Sequence, residues 1–82
     1  MPRMTSLQQY STGIDLYQRR QSAYRKIKKM IVKAYGEQTF KSWMFGRDQN
    51  LGDESPSWAL RYAENLIEIK NVVDAARGFV SR

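Results

Sequence analysis

Seven cationic side chains, Arg19, Arg20, Arg25, Lys26, Lys28, Lys29 and Lys33, fall between Asp15 and Glu37 with no acidic residue among them. Solvated helix faces usually mix both signs. A one-signed run of this density suits phosphates, whose neutralisation releases counterions and makes binding salt-sensitive. It also suits an acidic protein surface. Tyr17 and Tyr24 lie near enough in sequence to stack or hydrogen-bond beside it. A plain solvated face is the third reading. Nothing in the run matches a base-reading motif such as a zinc finger or a ribonucleoprotein aromatic pair.

Other chemistry is sparse. The chain has no histidine and no cysteine. The commonest general base, triad member and metal ligand are thus missing, as are disulfides and thiolate zinc sites. Asp48, Asp53 and Glu54 share one loop. Their spacing fits no calcium loop and Arg47 sits beside them, so they read as loop solvation. Gly46 and Gly52 form no phosphate-cradling pattern and read as turn residues. The expectation is a non-enzyme with no cofactor and no metal.

Two apolar features remain. Phe40, Trp43, Phe45, Trp58 and Tyr62 are expected to fill the core of so small a domain, with Trp58 or Phe45 as the candidate for an exposed interface anchor. At the C-terminal end, Arg77 and Arg82 flank Gly78, Phe79 and Val80. This end reads either as a tail that enters another protein's cleft or as a frayed end with Phe79 folded back on the core; the second reading is preferred.

The elements that must position these residues are helices. With 82 residues there is room for one domain, and at this size folding buries only about 60 % of the unfolded chain's surface. Leu7, Tyr10, Ile14 and Tyr17 allow a helix over 6–18, with Gly13 weakening its middle. Ala23, Ile27, Met30, Ile31 and Ala34 define one face of a basic helix over 22–35, which extends back towards Asp15 if the two segments fuse. Gly36 ends it. A Trp-bearing helix spans 37–45 and stops at Gly46, with Glu37 complementing its N-terminal dipole. A polar loop follows, in which Leu51 plugs back into the core and Gly52 makes the turn. Ser55 caps and Pro56 opens a helix over 56–63. Asn65 caps a last helix over 66–77, with Leu66, Ile69, Val72, Val73 and Ala76 at helical spacing and Gly78 as its stop. The fold class is therefore all-α: a small bundle of four or five short helices without a sheet, preceded by an arm or extra helix over 1–21.

No apolar run approaches the roughly 20 residues that span a bilayer, and the N-terminal stretch has no apolar signal core. A cytoplasmic protein with no membrane partner is expected. Net charge is +6, unevenly spread. Residues 1–45 carry nine basic and two acidic residues, and residues 46–82 carry five and six. An anionic partner on one side only follows from that asymmetry. Size and aromatic content point to a homodimer.

Over residues 31–77 the chain resembles the toxin-binding domain of the Xre/MbcA/ParS antitoxin family. The resemblance rests on Ala34, Tyr35 and Gly36, then Trp43 and Met44, then Asn50, Leu51 and Gly52, then Ser55 and Pro56, and finally Leu60, Val72, Val73, Ala75 and Ala76. It implies a helical domain that blocks the active-site entrance of a RES-type toxin, an enzyme that consumes or transfers groups from NAD. In that scheme residues 77–82, with Arg77, Phe79, Val80 and Arg82, form the blocking tail, and Trp43, Leu51 and Pro56 form the scaffold. The family's usual upstream helix-turn-helix is not expected, because only about 30 residues precede the matched region. The expected function is thus an antitoxin-like interaction module, with Trp58 and the tail meeting the partner. The alternative is a small DNA-binding regulator, of the kind a phage or mobile element carries, that grips phosphates through the basic run.

Overall fold

Gly36 divides the first two helices. Its φ of +97° lies in the region that L side chains rarely adopt, so glycine is the residue that can turn the chain there. The computed structural model describes residues 13–82. Helix α1 (Gly13–Tyr35) runs for 23 residues, and α2 (Glu37–Phe45) follows at once. A single 3-10 turn (Gln49–Leu51) leads to α3 (Pro56–Arg61) and α4 (Leu66–Val80). Among the described residues the architecture is all-α: four helices and no sheet.

α1 is long, about 34 Å at 1.5 Å per residue. Beyond Gly13 it contains no glycine or proline, and Asp15 and Lys33 sit at the ends that suit the helix dipole. Its inner face is Ala23, Ile27 and Ile31, the last two fully buried. That face packs most extensively on α4 and then on α2. α4 contributes Ile69, Val72, Val73, Ala75 and Ala76, and α2 contributes Phe40, Trp43 and Met44. Leu60 and Ala63, from the α3 segment, close the core, and Leu51 packs against it from the 3-10 turn.

The helix starts follow local chemistry. The Ser55 hydroxyl accepts the Trp58 N–H at 3.1 Å, ahead of a buried Pro56 at the first helical position. The Asn65 side chain accepts the Glu68 N–H at 2.9 Å, and the Glu68 carboxylate accepts the Glu64 N–H at 2.6 Å. The N–H groups of a helix's first turn have no partner within the helix, and these oxygens satisfy some of them, with Pro56 removing one such donor in α3.

Several expectations are corrected. α1 begins at Gly13 rather than 22, the fused form of the two segments, so residues 13–21 belong to it; the remainder of the helix expected over 6–18 lies outside the described residues. α3 ends at Arg61, short of 63. α4 does not stop at Gly78 but continues to Val80. One glycine inside a helix costs about 1 kcal/mol, and the packing of Phe79 and Val80 against the core offsets it. Ala34 and Leu66 are exposed although they share the helical period of buried residues.

Candidate interaction surfaces

The basic run does not act as one patch. Arg20 turns inward: it occupies the apolar register of α1, four residues after Leu16 and three before Ala23. Its guanidinium donates to the Ala63 carbonyl at 2.5 Å, just past the end of α3. Its Nε is buried without a hydrogen-bond partner. Arg19 pairs with Asp15 at 3.8 Å. Lys28 pairs with Glu37 at 3.6 Å and lies 6.0 Å from the centre of the Phe40 ring. Arg25, Lys28, Lys29 and Lys33 share one side of α1 around the half-buried Val32, lining a shallow depression of about 450 Å³. Lys26 is exposed farther round the helix. Arg25, Lys26, Lys29 and Lys33 form no ion pair with any described residue.

The aromatic group divides. Phe40 and Trp43 are buried, whereas Phe45, Trp58 and Tyr62 are 72 %, 50 % and 56 % exposed. The expectation of a core built by the whole group is therefore corrected, most clearly at Tyr62, whereas Trp58 and Phe45, the two candidates for an exposed anchor, are both exposed. α3 is only six residues long, and Pro56 and Leu60 use its inner face at a spacing of four. Trp58 and Tyr62, also four apart, fall on the other side and lie against each other, with ring centres 5.0 Å apart. Phe45 ends α2, one position beyond the last inward-facing residue of that helix.

Two grooves flank these rings. One, of about 490 Å³, lies between α1, α2 and α3; Tyr17, Tyr24, Phe40, Met44, Phe45 and Leu60 line it, with Arg20 and Arg61. Tyr24 meets Phe40 edge-on at 5.7 Å within it. The other, of about 530 Å³, lies between the 3-10 turn, α3 and α4, where Leu51, Trp58 and Tyr62 stand beside Glu64 and Glu68.

The C-terminal end is not a loose tail. Phe79 is half-buried against Trp43 and Tyr35, with ring centres at 5.9 Å and 5.5 Å. The Val80 carbonyl accepts the Tyr35 hydroxyl at 3.4 Å. Arg77 pairs with Asp74 at 3.7 Å, and Arg82 lies 5.8 Å from the centre of the Phe79 ring. Phe79 folds back on the core, as the preferred reading of this end has it, but as the last turn of a helix rather than a frayed end. Lys70 donates to Asp74 at 2.8 Å, and this hydrogen bond, with smaller contributions from the charges of Lys70 and Arg77, holds the Asp74 carboxyl below its ordinary value against an opposing desolvation.

Asp48 is the clearest departure from the expected solvated loop. It is 7 % exposed. One carboxylate oxygen accepts the Trp43 indole N–H at 3.2 Å, and the other accepts the Asn50 N–H at 2.8 Å. Its backbone carbonyl accepts from Leu51 and Asp53, and its N–H donates to Glu54. Asp53 and Glu54 are exposed, in keeping with loop solvation. Two residues that build the sites were thus missed from sequence. Arg20 carried a usable signal, its register between Leu16 and Ala23; Asp48 carried a weaker one, an Asp directly before a turn, where its side chain can cap the Asn50 N–H.

The class defined by this geometry is a small all-α bundle with a one-signed helix face and two ring-lined grooves. No helix among the described residues is long and apolar enough to cross a membrane. The chain matches no protein-family model, no curated protein and no solved structure.

Proposed function

We propose that this chain is a non-catalytic protein-interaction module that binds and neutralises a partner protein in the manner of an antitoxin. The observation that supports it is the exposure of Phe45, Trp58 and Tyr62 beside a core that closes without them. Trp58 and Tyr62 stand together at one groove and Phe45 at the other; exposed apolar surface of this kind marks interaction sites, and Trp and Tyr are the residue types that most often dominate binding. A RES-type toxin is the partner the resemblance implies. The test mixes the purified chain with such a toxin and follows the toxin's consumption of NAD. Inhibition at near-equal concentrations, weakened about tenfold or more by Trp58→Ala, is the expected result. Full toxin activity in the presence of excess chain would sink the proposal.

A second reading draws on the four cations around Val32. A face of Arg25, Lys28, Lys29 and Lys33 with no acid among them fits a phosphate backbone. Four phosphate contacts give a log–log salt slope of about −3.6 on duplex DNA. Binding to DNA that is flat with salt, or that survives the change of these four residues to Glu, rules this reading out.

A further inference from the structure

The groove between α1, α2 and α3 combines apolar surface with one sign of charge. Phe40, Met44 and Leu60 are almost fully buried at its base, while Phe45 stands exposed at its edge. No carboxylate lines it, and Arg20 and Arg61 do. Along α1 the side that carries Tyr17 and Tyr24 continues one turn later into Lys28. The nearest acid there, Glu37, is already paired with Lys28. A groove of about 490 Å³ is within the size range of functional pockets.

We propose that this groove seats an amphipathic helix from a partner protein, with large apolar side chains inward and carboxylates along its edge. The inference rests on the protein-binding function above and names the chemistry of the partner. An apolar face laid into a groove between helices is a recurring mode of peptide recognition. Charge complementarity selects the acidic version: the exposed Arg61 meets a carboxylate at the edge, while Arg20 adds positive potential from within and no acid lines the groove to oppose it. A phosphate chain has nothing apolar to place over Phe40, Met44 and Leu60, so nucleic acid is left to the adjoining face of α1 around Val32. Phe45, at the end of α2, becomes the anchor that the partner helix covers.

The test uses the whole chain, labelled with nitrogen-15, and two synthetic helical peptides of about 14 residues, or four turns. Both carry leucines at helical spacing; one has Glu on its flanks and the other Lys. The expected result is that the Glu peptide moves the amide signals of Tyr24, Phe45 and Arg61, and that the Lys peptide binds about tenfold or more weakly. Phe45→Ser and Arg61→Glu, both at exposed positions, each lower affinity about tenfold while the rest of the spectrum stays folded. Equal binding of both peptides, binding by neither, or shifts confined to residues 25–33 overturns the inference. Toxin inhibition that is lost in Trp58→Ala but intact in Phe45→Ser also overturns it, and leaves the protein-binding function standing. Toxin inhibition that is absent altogether while the Glu peptide still binds has the reverse meaning.

Discussion

Replacing Asp48 by alanine removes both acceptors that its carboxylate provides. The Trp43 indole N–H is left buried without a partner, which costs about 1–3 kcal/mol. The Asn50 N–H loses its cap, which adds about 1 kcal/mol. The sum, about 2–4 kcal/mol, is a large share of the stability of a domain this size, roughly 4–12 kcal/mol at typical values per residue. With a urea slope of about 1 kcal/mol/M for a small domain, the midpoint falls by about 2 M or more. Asp48→Asn keeps one carbonyl oxygen and loses about half as much. The assay is urea unfolding followed by far-ultraviolet circular dichroism, on wild type, the two single variants, Trp43→Phe and the Trp43→Phe/Asp48→Ala pair. Because Trp43→Phe removes the donor, Asp48→Ala costs at least about 1 kcal/mol less in that background. A change below about 0.5 kcal/mol for Asp48→Ala, the level of ordinary surface substitutions, would refute the reasoning. So would strict additivity of the two changes.

Two glycines are expected to respond with opposite signs. Gly36→Ala forces a side chain to a φ of +97° and lowers stability by about 1 kcal/mol or more. Gly78 is helical with open space around its position, so Gly78→Ala raises stability by about 0.5–1 kcal/mol. Thermal melts decide both: a higher midpoint for Gly36→Ala contradicts the strain at that turn, and a lower one for Gly78→Ala contradicts the assignment of Gly78 to the helix. Asp74 gives a pH signature. Its lowered folded value means that its small favourable contribution is present above the unfolded carboxyl value and fades as pH falls through the folded one. In a carboxyl-carbon NMR titration Asp74 is expected below unpaired aspartates and moves up in Lys70→Gln; an unchanged midpoint in that variant contradicts the hydrogen bond as its main cause.

Periodicity made most of the bundle legible. Ala23, Ile27 and Ile31 on α1, and Ile69, Val72, Val73 and Ala76 on α4, were read as inward and are buried. Ser55, Pro56 and Asn65 marked two helix starts because capping is local chemistry that a sequence carries in full. What failed was non-local. Periodicity says which residues share a face, not whether anything covers it, so it does not separate Tyr62, exposed beside Trp58, from the core that Pro56 and Leu60 close. The charge of Arg20 outweighed its register, and it was counted with the surface cations. Gly78 read as a stop because its tendency to end helices was visible, whereas the ring contacts of Phe79 with Trp43 and Tyr35 were not.

The pairing of α1 with α4 also bears on the order in which this fold can form. The fully buried Ile27 and Ile31 belong to the first described helix, and the largest wall against them comes from the last. A chain growing from its N-terminus therefore carries those two isoleucines only partly covered, by α2, until the residues around Val72 and Ala76 have been made. α1, α2 and α3 can nucleate early from local contacts, but closure waits for a loop spanning most of the described sequence, whose entropy grows only slowly with length. Through that interval Arg20 has no Ala63 carbonyl fixed in place to receive it and remains in water with its neighbours Arg19 and Arg25. The nascent segment is then strongly cationic, and like-charge repulsion between copies opposes association through its exposed isoleucines. The one-signed run of α1 would in this way guard the chain against aggregation before it guards or grips anything as a folded surface.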